Sequence, residues 1–381
     1  MGSDLSFPDY IGARKCKEIV GEERFDQEKF NAIKGRSGKI TKQQMLDLVL
    51  AHTLEFNPAG SRNEDIRTQW ENTTKAWRKV PKLTMPIVEK FRNSASLLDQ
   101  APAENLNSCV FEENEVAGNF VLVCVPKTLV GVDRRRPVQI FFHGGGFVMG
   151  RPQHFRRTCA KLAVLSKSVI VCPTVGNAPE DKADTWLRNA YAAFKWVNNE
   201  ADQLNVDVSR IVVRGENHGA FVALKVAAQA IKKNEHEFIK FIWLDVPALL
   251  HDFLPKWRDP DKEIDEMHQI SSKLNLQTFS LLFTDIEKQE EFNWDEHKND
   301  VDIFPAFMEE ELLKKIPPIL LTTGEFDHVG RRACEQFAER LKEIEGKLLG
   351  CYIQPGVGHN LYGADQSLRD KAEKIFYTIF M

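Results

Sequence analysis

The stretch Gly215-Glu216-Asn217-His218-Gly219 decides the fold, because its two glycines bracket a tight turn between a strand pattern and a helix pattern. The preceding Arg210-Ile211-Val212-Val213-Arg214 is the β-branched run of a buried strand, and residues 220–230 have the composition of a helix. A strand, a sharp turn and a helix in this order expose the residue at the turn, which is Asn217. A carboxamide is not a nucleophile, and a neighbouring imidazole cannot turn it into one.

From residue 108 onward, short apolar runs alternate with helical segments. The predicted strands are residues 120–125, 138–142, 168–172, 211–213, 241–244, 319–323 and 348–353. The predicted helices lie near residues 155–166, 183–204, 220–233, 329–344 and 366–380. Continuous apolar strands that alternate with helices indicate an α/β fold, with a mostly parallel central sheet covered by helices on both faces.

Two regions fall outside that rhythm. Residues 1–107 are mostly helical in pattern, with helices predicted near 41–50, 64–77 and 85–98, and Thr41 and Gln44 are spaced as a capping box. Residues 250–310 are charged, irregular and rich in aromatic side chains. We interpret both regions as a lid over the strand ends of the core, residues 108–381, since open α/β sheets bind ligands there. The aromatic side chains of the insertion can also pack a small core of their own.

A glycine-rich turn, His143-Gly144-Gly145-Gly146, directly follows the predicted strand 138–142. Three glycines let the backbone bend so that amide N–H groups point into a cavity, where they hold a carbonyl oxygen as negative charge builds on it. A phosphate-binding loop is the alternative interpretation, but the turn lacks the Lys-Ser/Thr of a P-loop and the GxGxxG spacing. The sequence therefore favours an oxyanion-binding turn.

These motifs resemble the hormone-sensitive-lipase branch of the α/β-hydrolases, which includes plant carboxylesterase-like proteins and the gibberellin receptors. The resemblance covers residues 108–381 and implies an α/β-hydrolase fold. It rests on four motifs in the family's order: the glycine turn; Asn177-Ala178-Pro179-Glu180 with the helix after it; residues 206–211 with the turn at 215–219; and the pair Gly324-Glu325-Phe326-Asp327 and Gly356-Val357-Gly358-His359.

The resemblance also implies a site. Asp327 and His359 match the family's acid and base, and both follow predicted strands, so their side chains meet beyond the strand ends. The family's elbow reads Gly-Asp-Ser-Ala-Gly-Gly, whereas this chain has Asn217 at the position of the nucleophile, and we interpret that asparagine as natural. Asparagine tolerates the positive φ of such a turn better than most residues do.

We therefore expect Asn217, Asp327 and His359 to form the catalytic group. The backbone N–H groups of Gly144, Gly145 and His218 are expected to form the oxyanion pocket. The His218 imidazole is either a second group of the site or structural. The full set of expected oxyanion and substrate-binding residues is His143, Gly144, Gly145, Gly146 and His218.

Composition argues against several classes of partner. The chain has 381 residues, a net charge of -4 and a pI of about 6.2, which does not suit binding to nucleic acid. No stretch approaches about 18 apolar residues and the N-terminus holds charges, so we expect no membrane span, no signal peptide and a cytoplasmic location. Seven dispersed cysteines without CxxC spacing indicate free thiols, and the ten histidines show no metal-ligand spacing. We expect no metal and no cofactor, and the oligomeric state does not follow from the sequence.

Three functions stay open. The first is an enzyme without a serine acyl-enzyme that performs acid–base chemistry beside a carbonyl of a small apolar organic substrate. Dehydration, cyclisation, elimination and isomerisation are such reactions, and the resembled branch includes dehydratases and cyclases of natural-product pathways. The second is a non-catalytic ligand receptor, since the branch also contains a hormone receptor closed by an N-terminal lid. The third is an ester hydrolase in which His359 activates water, or an inactivated carboxylesterase.

Overall fold

The computed structural model describes residues 10–20, 27–41, 82–95, 103–249, 266–297, 303–354 and 357–359, together with residues 44, 68, 71, 72, 75, 98, 99, 101, 373, 374 and 377. Within these residues the strands are β1 (Tyr10–Gly12), β2 (Lys39–Thr41), β3 (Cys109–Val116), β4 (Asn119–Pro126), β5 (Arg136–Phe142), β6 (Val169–Pro173), β7 (Val206–Glu216), β8 (Ile239–Asp245), β9 (Ile319–Gly324) and β10 (Leu348–Gln354). The α-helices are α1 (Ala13–Val20), α2 (Gln27–Ile33), α3 (Met85–Asn93), α4 (Arg156–Ser166), α5 (Ala183–Asn199), α6 (His218–Lys232), α7 (Glu266–Ser280), α8 (Trp294–His297), α9 (Glu310–Leu313) and α10 (Arg331–Lys342). Short 3-10 helices span Ala103–Ser108, Lys127–Leu129, Pro152–Phe155, His236–Phe238, Ile286–Glu291 and Pro305–Phe307.

Eight of these strands form one sheet in the order β10-β9-β8-β7-β5-β6-β4-β3. The strands from β10 to β6 in that order pair in parallel, while β4 pairs antiparallel with both β6 and β3. The prediction of a mostly parallel central sheet is confirmed. Because parallel strands point the same way, the carboxyl ends of β5, β7, β8, β9 and β10 meet at one edge of the sheet.

Side chains alternate between the two faces of the sheet, and each face packs against helices. Val121 and Val123 of β4 belong to the core shared with α5, α6 and α10, whereas Leu122 and Cys124 belong to the core shared with α4. Because helices cover both faces, both sets of side chains must be apolar. This explains why the strands are continuous apolar runs in the sequence.

The edge strand β3 was not predicted. It carries several acidic residues and only its first residue, Cys109, is fully buried. It pairs with β4 through a two-residue turn in which Ala117 and Gly118 have φ of 51° and 78°, the backbone shape of a tight hairpin. A half-exposed edge strand needs few apolar side chains, so a search for apolar runs overlooks it.

The N-terminal region, predicted to be mostly helical, also contains the antiparallel pair β1–β2. The capping box is confirmed: the Gln44 N–H donates to Thr41 Oγ1 at 3.1 Å, and the Thr41 N–H donates to Gln44 Oε1 at 2.9 Å. The helix predicted at 85–98 is α3, which ends at Asn93. The predicted helical segments 45–50, most of 64–77 and most of 366–380 lie outside the described residues.

The insertion 250–310, predicted to be irregular, contains the regular helix α7. Phe279 of this helix is buried and packs on Trp294 and Phe304, so the insertion has an aromatic core of its own. Phe279 also lies 5.0 Å, between ring centroids, from Phe147 at the end of the glycine-rich turn. The insertion is therefore packed directly against the part of the core that carries the glycines.

The seven cysteines are free thiols, as the sequence predicts, and all except the half-buried Cys351 are buried. In the described part of the chain, every helix is too short or too polar to cross a lipid bilayer.

Candidate active site

Asn217 occupies the sharp turn between β7 and α6, with φ of 54° and ψ of -117°. The expected positive φ is confirmed. The flanking glycines are required by close backbone contacts: a Cβ at Gly215 would lie 2.2 Å from the Gly219 oxygen, and one at Gly219 would lie 2.0 Å from the Phe142 oxygen. The turn is thus wedged between β7 and β5 and holds the Asn217 side chain at the carboxyl edge of the sheet.

The Asn217 carboxamide is held at both ends. Its Oδ1 accepts hydrogen bonds from the backbone N–H groups of Gly145 at 3.3 Å and Gly146 at 3.0 Å. Its Nδ2 donates to His359 Nε2 at 2.7 Å. Two N–H donors require an acceptor, so they fix the orientation of the amide, with oxygen toward the glycine turn and nitrogen toward the imidazole.

His359 is backed by Asp327. The Nδ1–H of His359 donates to Asp327 Oδ1 at 2.8 Å. The same Oδ1 accepts from the backbone N–H groups of Val329 and Gly330, both at 2.9 Å, and Oδ2 accepts from the Thr323 hydroxyl at 2.8 Å. Asp327 is buried and immobile in this cage, so the imidazole has its proton on Nδ1 and an unprotonated Nε2 facing Asn217.

The pKa values of this pair move in opposite directions. Burial lowers the pKa of His359, but the charge of Asp327 and the hydrogen bond to it raise that pKa more, so it lies above its usual value. Burial raises the pKa of Asp327, but the charge of His359 and four donated hydrogen bonds outweigh burial and hold it below its usual value. The pair is therefore an ionised carboxylate beside a base that takes up protons readily.

The glycine turn donates to the Asn217 side chain: the backbone N–H groups that reach Asn217 Oδ1 belong to Gly145 and Gly146. The oxyanion pocket expected from the backbone N–H groups of Gly144, Gly145 and His218 stays a prediction. Gly145 has φ of 142°, and a Cβ there would lie 2.0 Å from the Met149 oxygen, so a side chain is excluded. With this positive φ at Gly145, two successive backbone N–H groups point toward Asn217 Oδ1. Gly144 lines the wall of the adjacent cavity.

The two imidazoles of the expected binding set, His143 and His218, are structural in their contacts. The His143 ring is buried, stacks on Phe155 at 4.7 Å and donates from Nδ1 to the Gly144 oxygen at 2.8 Å. His218 is also buried and accepts a hydrogen bond from the Phe147 N–H at Nδ1. Neither side chain lines the cavity at Asn217. Both rings instead form hydrogen bonds with the backbone of the glycine-rich turn, His143 with Gly144 and His218 with Phe147.

Burial sets the charge of both rings. It lowers the pKa of His143 to about 4, against the smaller effect of its hydrogen bond to Gly144. Burial, together with the nearby His143, holds the pKa of His218 well below its usual value. Both rings are therefore neutral near pH 7.

A cavity of about 340 Å³ opens onto the Asn217 amide and His359. Its walls are mostly apolar and combine the glycine turn with side chains from α3 and α7. Sequence reasoning did not identify several of its polar and apolar lining residues: Phe91, Phe155, Glu216, Leu274, Asn275 and Thr278. Glu216 could have been identified from the sequence, since it directly precedes Asn217. The residues of α7 could not, because a helical pattern does not show which face of the helix lines a cavity.

The arrangement can bind and can move protons. It presents a base at Nε2, an amide with donor and acceptor ends, and a carboxylate of Glu216 at the wall of an apolar cavity. In the part of the chain that the structure describes, His, Cys, Asp and Glu side chains do not gather in groups of three or more as metal ligands. The side chain at the turn has no hydroxyl or thiol, so it cannot form an ester or thioester with a substrate.

Known proteins share this scaffold. Residues 139–363, more than half of the chain, match the model of a family described as alpha/beta hydrolase fold. The chain is 36% identical over 94 residues to the esterase LipI of Mycobacterium tuberculosis, covering 25% of this chain and 29% of that protein. It is 29% identical over 184 residues to lipase 2 of a Moraxella species, covering 44% of this chain and 40% of that protein.

A solved structure of an esterase from the fungus Rhizomucor miehei superposes with a TM-score of 0.62 at 20% identity, over 81% of this chain and 94% of that chain. That likeness shows the fold. The sequence matches span less than half the length of the two relatives above, which are an esterase and a lipase. Together with the match over residues 139–363, they show that the chain belongs to the alpha/beta hydrolase fold family and is similar to its carboxylesterases and lipases.

Proposed function

We propose that this protein is an enzyme that performs acid–base chemistry on a small, mostly apolar organic molecule without forming an acyl-enzyme. In this proposal Asn217 stands where the family's esterases carry their nucleophile. His359 moves protons at Nε2, Asp327 holds and polarises it, and the amide of Asn217 binds a polar group of the substrate. The reaction class is proton transfer beside a carbonyl, as in dehydration, cyclisation, elimination or isomerisation.

One observation carries the proposal: the line of contacts from Asp327 through His359 to Asn217, at 2.8 Å and 2.7 Å, ends at an apolar cavity. A histidine with a purely structural role needs no access to a cavity, whereas His359 lines one that a small molecule can enter. The raised pKa of His359 makes it a better base than a free imidazole, and proton transfer by a positioned side chain is typically worth about 10²–10⁴-fold in rate. The rest of the proposal includes a lid formed by residues 1–107 and 250–310, a cytoplasmic location and a role in specialised metabolism.

The test begins with a panel of small carbonyl compounds, followed by NMR or mass spectrometry for conversion. For any compound that reacts, His359→Gln should lower turnover about a hundredfold or more, because glutamine keeps a polar side chain but cannot carry the proton. Asn217→Ala should weaken turnover by a smaller factor. His236→Gln is the matched control, since His236 precedes β8 at the opposite end of the sheet. Unchanged turnover in both His359→Gln and Asn217→Ala would contradict the proposal.

A non-catalytic ligand receptor is the second candidate, and a specific contact favours it. The Asn217 Oδ1 already occupies the two N–H donors that would otherwise hold a substrate oxygen. A ligand carbonyl reaches those donors only after the amide rotates away, which disfavours the chemistry of an oxyanion pocket. Recovery of a tightly bound small molecule chemically unchanged after incubation, with the panel unreactive, would favour this candidate over the enzyme.

Hydrolysis by His359-activated water is the third candidate. A p-nitrophenyl ester assay separates it from the others, because wild-type activity should then exceed that of His359→Gln. Restoring a hydroxyl with Asn217→Ser tests whether the site is a disabled esterase: that variant should gain ester hydrolysis and react covalently with a fluorophosphonate probe. Labelling of the wild type at this turn would overturn the assignment of a non-nucleophilic site.

A further inference from the structure

The side chain of Asn217 is bound in its own site as a substrate amide would be. Its carbonyl oxygen lies on two backbone N–H donors, which is where negative charge on that oxygen would be stabilised. Its nitrogen lies 2.7 Å from His359 Nε2, which is where a departing amine would receive a proton. The carboxamide of Asn217 therefore lies where the C–N bond of an amide substrate would lie in a hydrolase site. Its oxygen contacts the N–H donors and its nitrogen contacts His359.

We propose that Asn217 is a modification site, at which the site hydrolyses this side-chain amide to a carboxylate and converts residue 217 to aspartate. Water is the second reactant. His359 Nε2 takes a proton from water while the water oxygen bonds to Cγ, and the carbonyl oxygen carries the resulting charge against the Gly145 and Gly146 N–H groups. His359 then returns the proton to Nδ2, the Cγ–Nδ2 bond breaks, and ammonia leaves. The new carboxyl group loses its proton to solvent.

Water can reach the reacting atoms. Asn217 lines the cavity and keeps 8% of its surface exposed, while the His359 side chain keeps 17%. Three hydrogen bonds hold the amide in one orientation. The Nδ2–H of Asn217 must release the lone pair of His359 Nε2 before that atom takes a proton from water, while the two bonds to Oδ1 stay in place. A free asparagine on a flexible surface lacks all three contacts.

The same chain supplies matched controls. Asn205 and Asn234 also have positive φ, at 49° and 56°, as Asn217 does at 54°. No hydrogen bond that the structure describes joins either side chain to a histidine; the Asn205 Nδ2 donates to the Val132 oxygen. If a positive φ were the cause, all three asparagines would react alike, whereas the proposed reaction singles out residue 217.

The product would change what the site can do, since a carboxylate is a nucleophile toward carbon and an amide is not. The inference concerns the fate of one side chain and does not depend on any substrate. An absent mass change at residue 217 would leave the proposed acid–base enzyme intact, and a failed substrate panel would leave the modification intact.

The experiment is peptide mapping by mass spectrometry of the whole purified protein, aged at neutral pH in heavy-oxygen water. The peptide containing residue 217 should exchange its amide for a hydroxyl that carries one heavy oxygen, and it should elute with the same peptide from an Asn217→Asp variant. Conversion should be at least about a hundredfold faster than at Asn205 or Asn234, the lower end of the range that a positioned acid–base group supplies. Equal rates at the three positions, or no conversion at 217, would overturn the proposal.

Two variants test the mechanism. His359→Gln removes the proton carrier and Asp327→Asn removes its partner, and both should slow conversion at residue 217 while the control asparagines are unaffected. Thermal unfolding verifies that each variant is folded, and the comparison within the wild type needs no variant. Conversion that persists undiminished in a folded His359→Gln would contradict the proposal. So would a mixture rich in isoaspartate, because that product arises when the His218 backbone nitrogen, rather than water, attacks Cγ.

Discussion

Strands β7, β8 and β9 carry two buried polar systems, the candidate site at their carboxyl edge and a network around Arg214 on the face that packs against α4. Arg214 donates to Asp245 Oδ2 at 2.7 Å and to the Tyr377 hydroxyl at 2.8 Å. Its guanidinium also lies 4.1 Å from the centroid of the Trp243 ring. The Tyr377 hydroxyl donates in turn to Gln139 on β5, so this network ties Tyr377 to the sheet. We call the network around Arg214 the clamp.

Both systems pair an acid with a basic group, yet only one of them can exchange protons. Arg214 is 2% exposed, and although burial lowers its pKa, the surrounding charges raise that pKa far above its usual value. His359 meets a cavity, and the charge of Asp327 and the hydrogen bond to it outweigh burial and raise the pKa of His359 above its usual value. A buried charge pair is therefore weak evidence of function by itself; access to a cavity and a proton that moves distinguish the candidate site from the clamp.

The largest expected effect comes from breaking the clamp. Arg214→Met should lower the free energy of unfolding by about 3–5 kcal/mol, because it leaves the buried Asp245 and Glu373 carboxylates without their cation. Urea unfolding measures this value.

Arg210→Met is the matched control, because Arg210 lies on the same strand, β7, four residues before Arg214. Arg210 pairs with Asp207 in a partly exposed position, so its loss should cost no more than about 1 kcal/mol. Equal effects of the two substitutions would mean that the clamp is not stabilising, and the contrast between the two polar systems would then fail.

The sequence predicts the site better than the clamp. Asp327 and His359 match motifs of the resembled family and follow apolar strands whose ends converge in a parallel sheet, so the sequence predicts that they meet. The rotamer of Asn217, with its oxygen on Gly145 and Gly146, could not, because no spacing encodes which donors a side chain reaches. The partners Arg214 and Tyr377 are 163 positions apart, and a buried arginine in an apolar strand shows no periodic signal.

A pH series sharpens the contrast, since the basic group of the site is an imidazole, whereas the basic group of the Arg214 network is a guanidinium whose pKa is raised far above its usual value. The folded pKa of His359 lies above its usual value of about 6.5, so its stabilising contribution is complete below that pH and is lost as pH rises through the folded pKa. The difference in unfolding free energy between the wild type and His359→Gln should therefore shrink as pH rises from about 6.5 through the raised folded pKa of His359.

The buried rings of His143 and His218 act with the opposite sign. Their folded pKa values are lowered, so they cost stability as pH falls below the unfolded value of about 6.5. They are present in both proteins and cancel in the difference. A wild-type minus His359→Gln difference that grows with pH would show that the sign assigned to His359 is wrong.

The smallest and sharpest test uses two adjacent threonines on β9. Thr322 faces the clamp, where its hydroxyl donates to Asp245 Oδ1 at 2.8 Å and accepts from Trp243 Nε1. Thr323 faces the site, where its hydroxyl donates to Asp327 Oδ2. Valine has nearly the same shape as threonine, so each substitution removes a hydroxyl and leaves the packing in place. Each should cost about 1 kcal/mol of unfolding free energy.

The two variants should differ in their effect on His359. Without the Thr323 hydroxyl, Asp327 is left with more unshared negative charge, which favours the protonated imidazole, so Thr323→Val should raise the pKa of His359. Thr322→Val should raise that pKa less, because the charge of Asp245, to which Thr322 donates, acts on His359 more weakly than the charge of Asp327 does. An NMR titration of the His359 ring protons separates these outcomes. Equal shifts in both variants would mean that the two polar systems are coupled through β9 and that the clamp tunes the site.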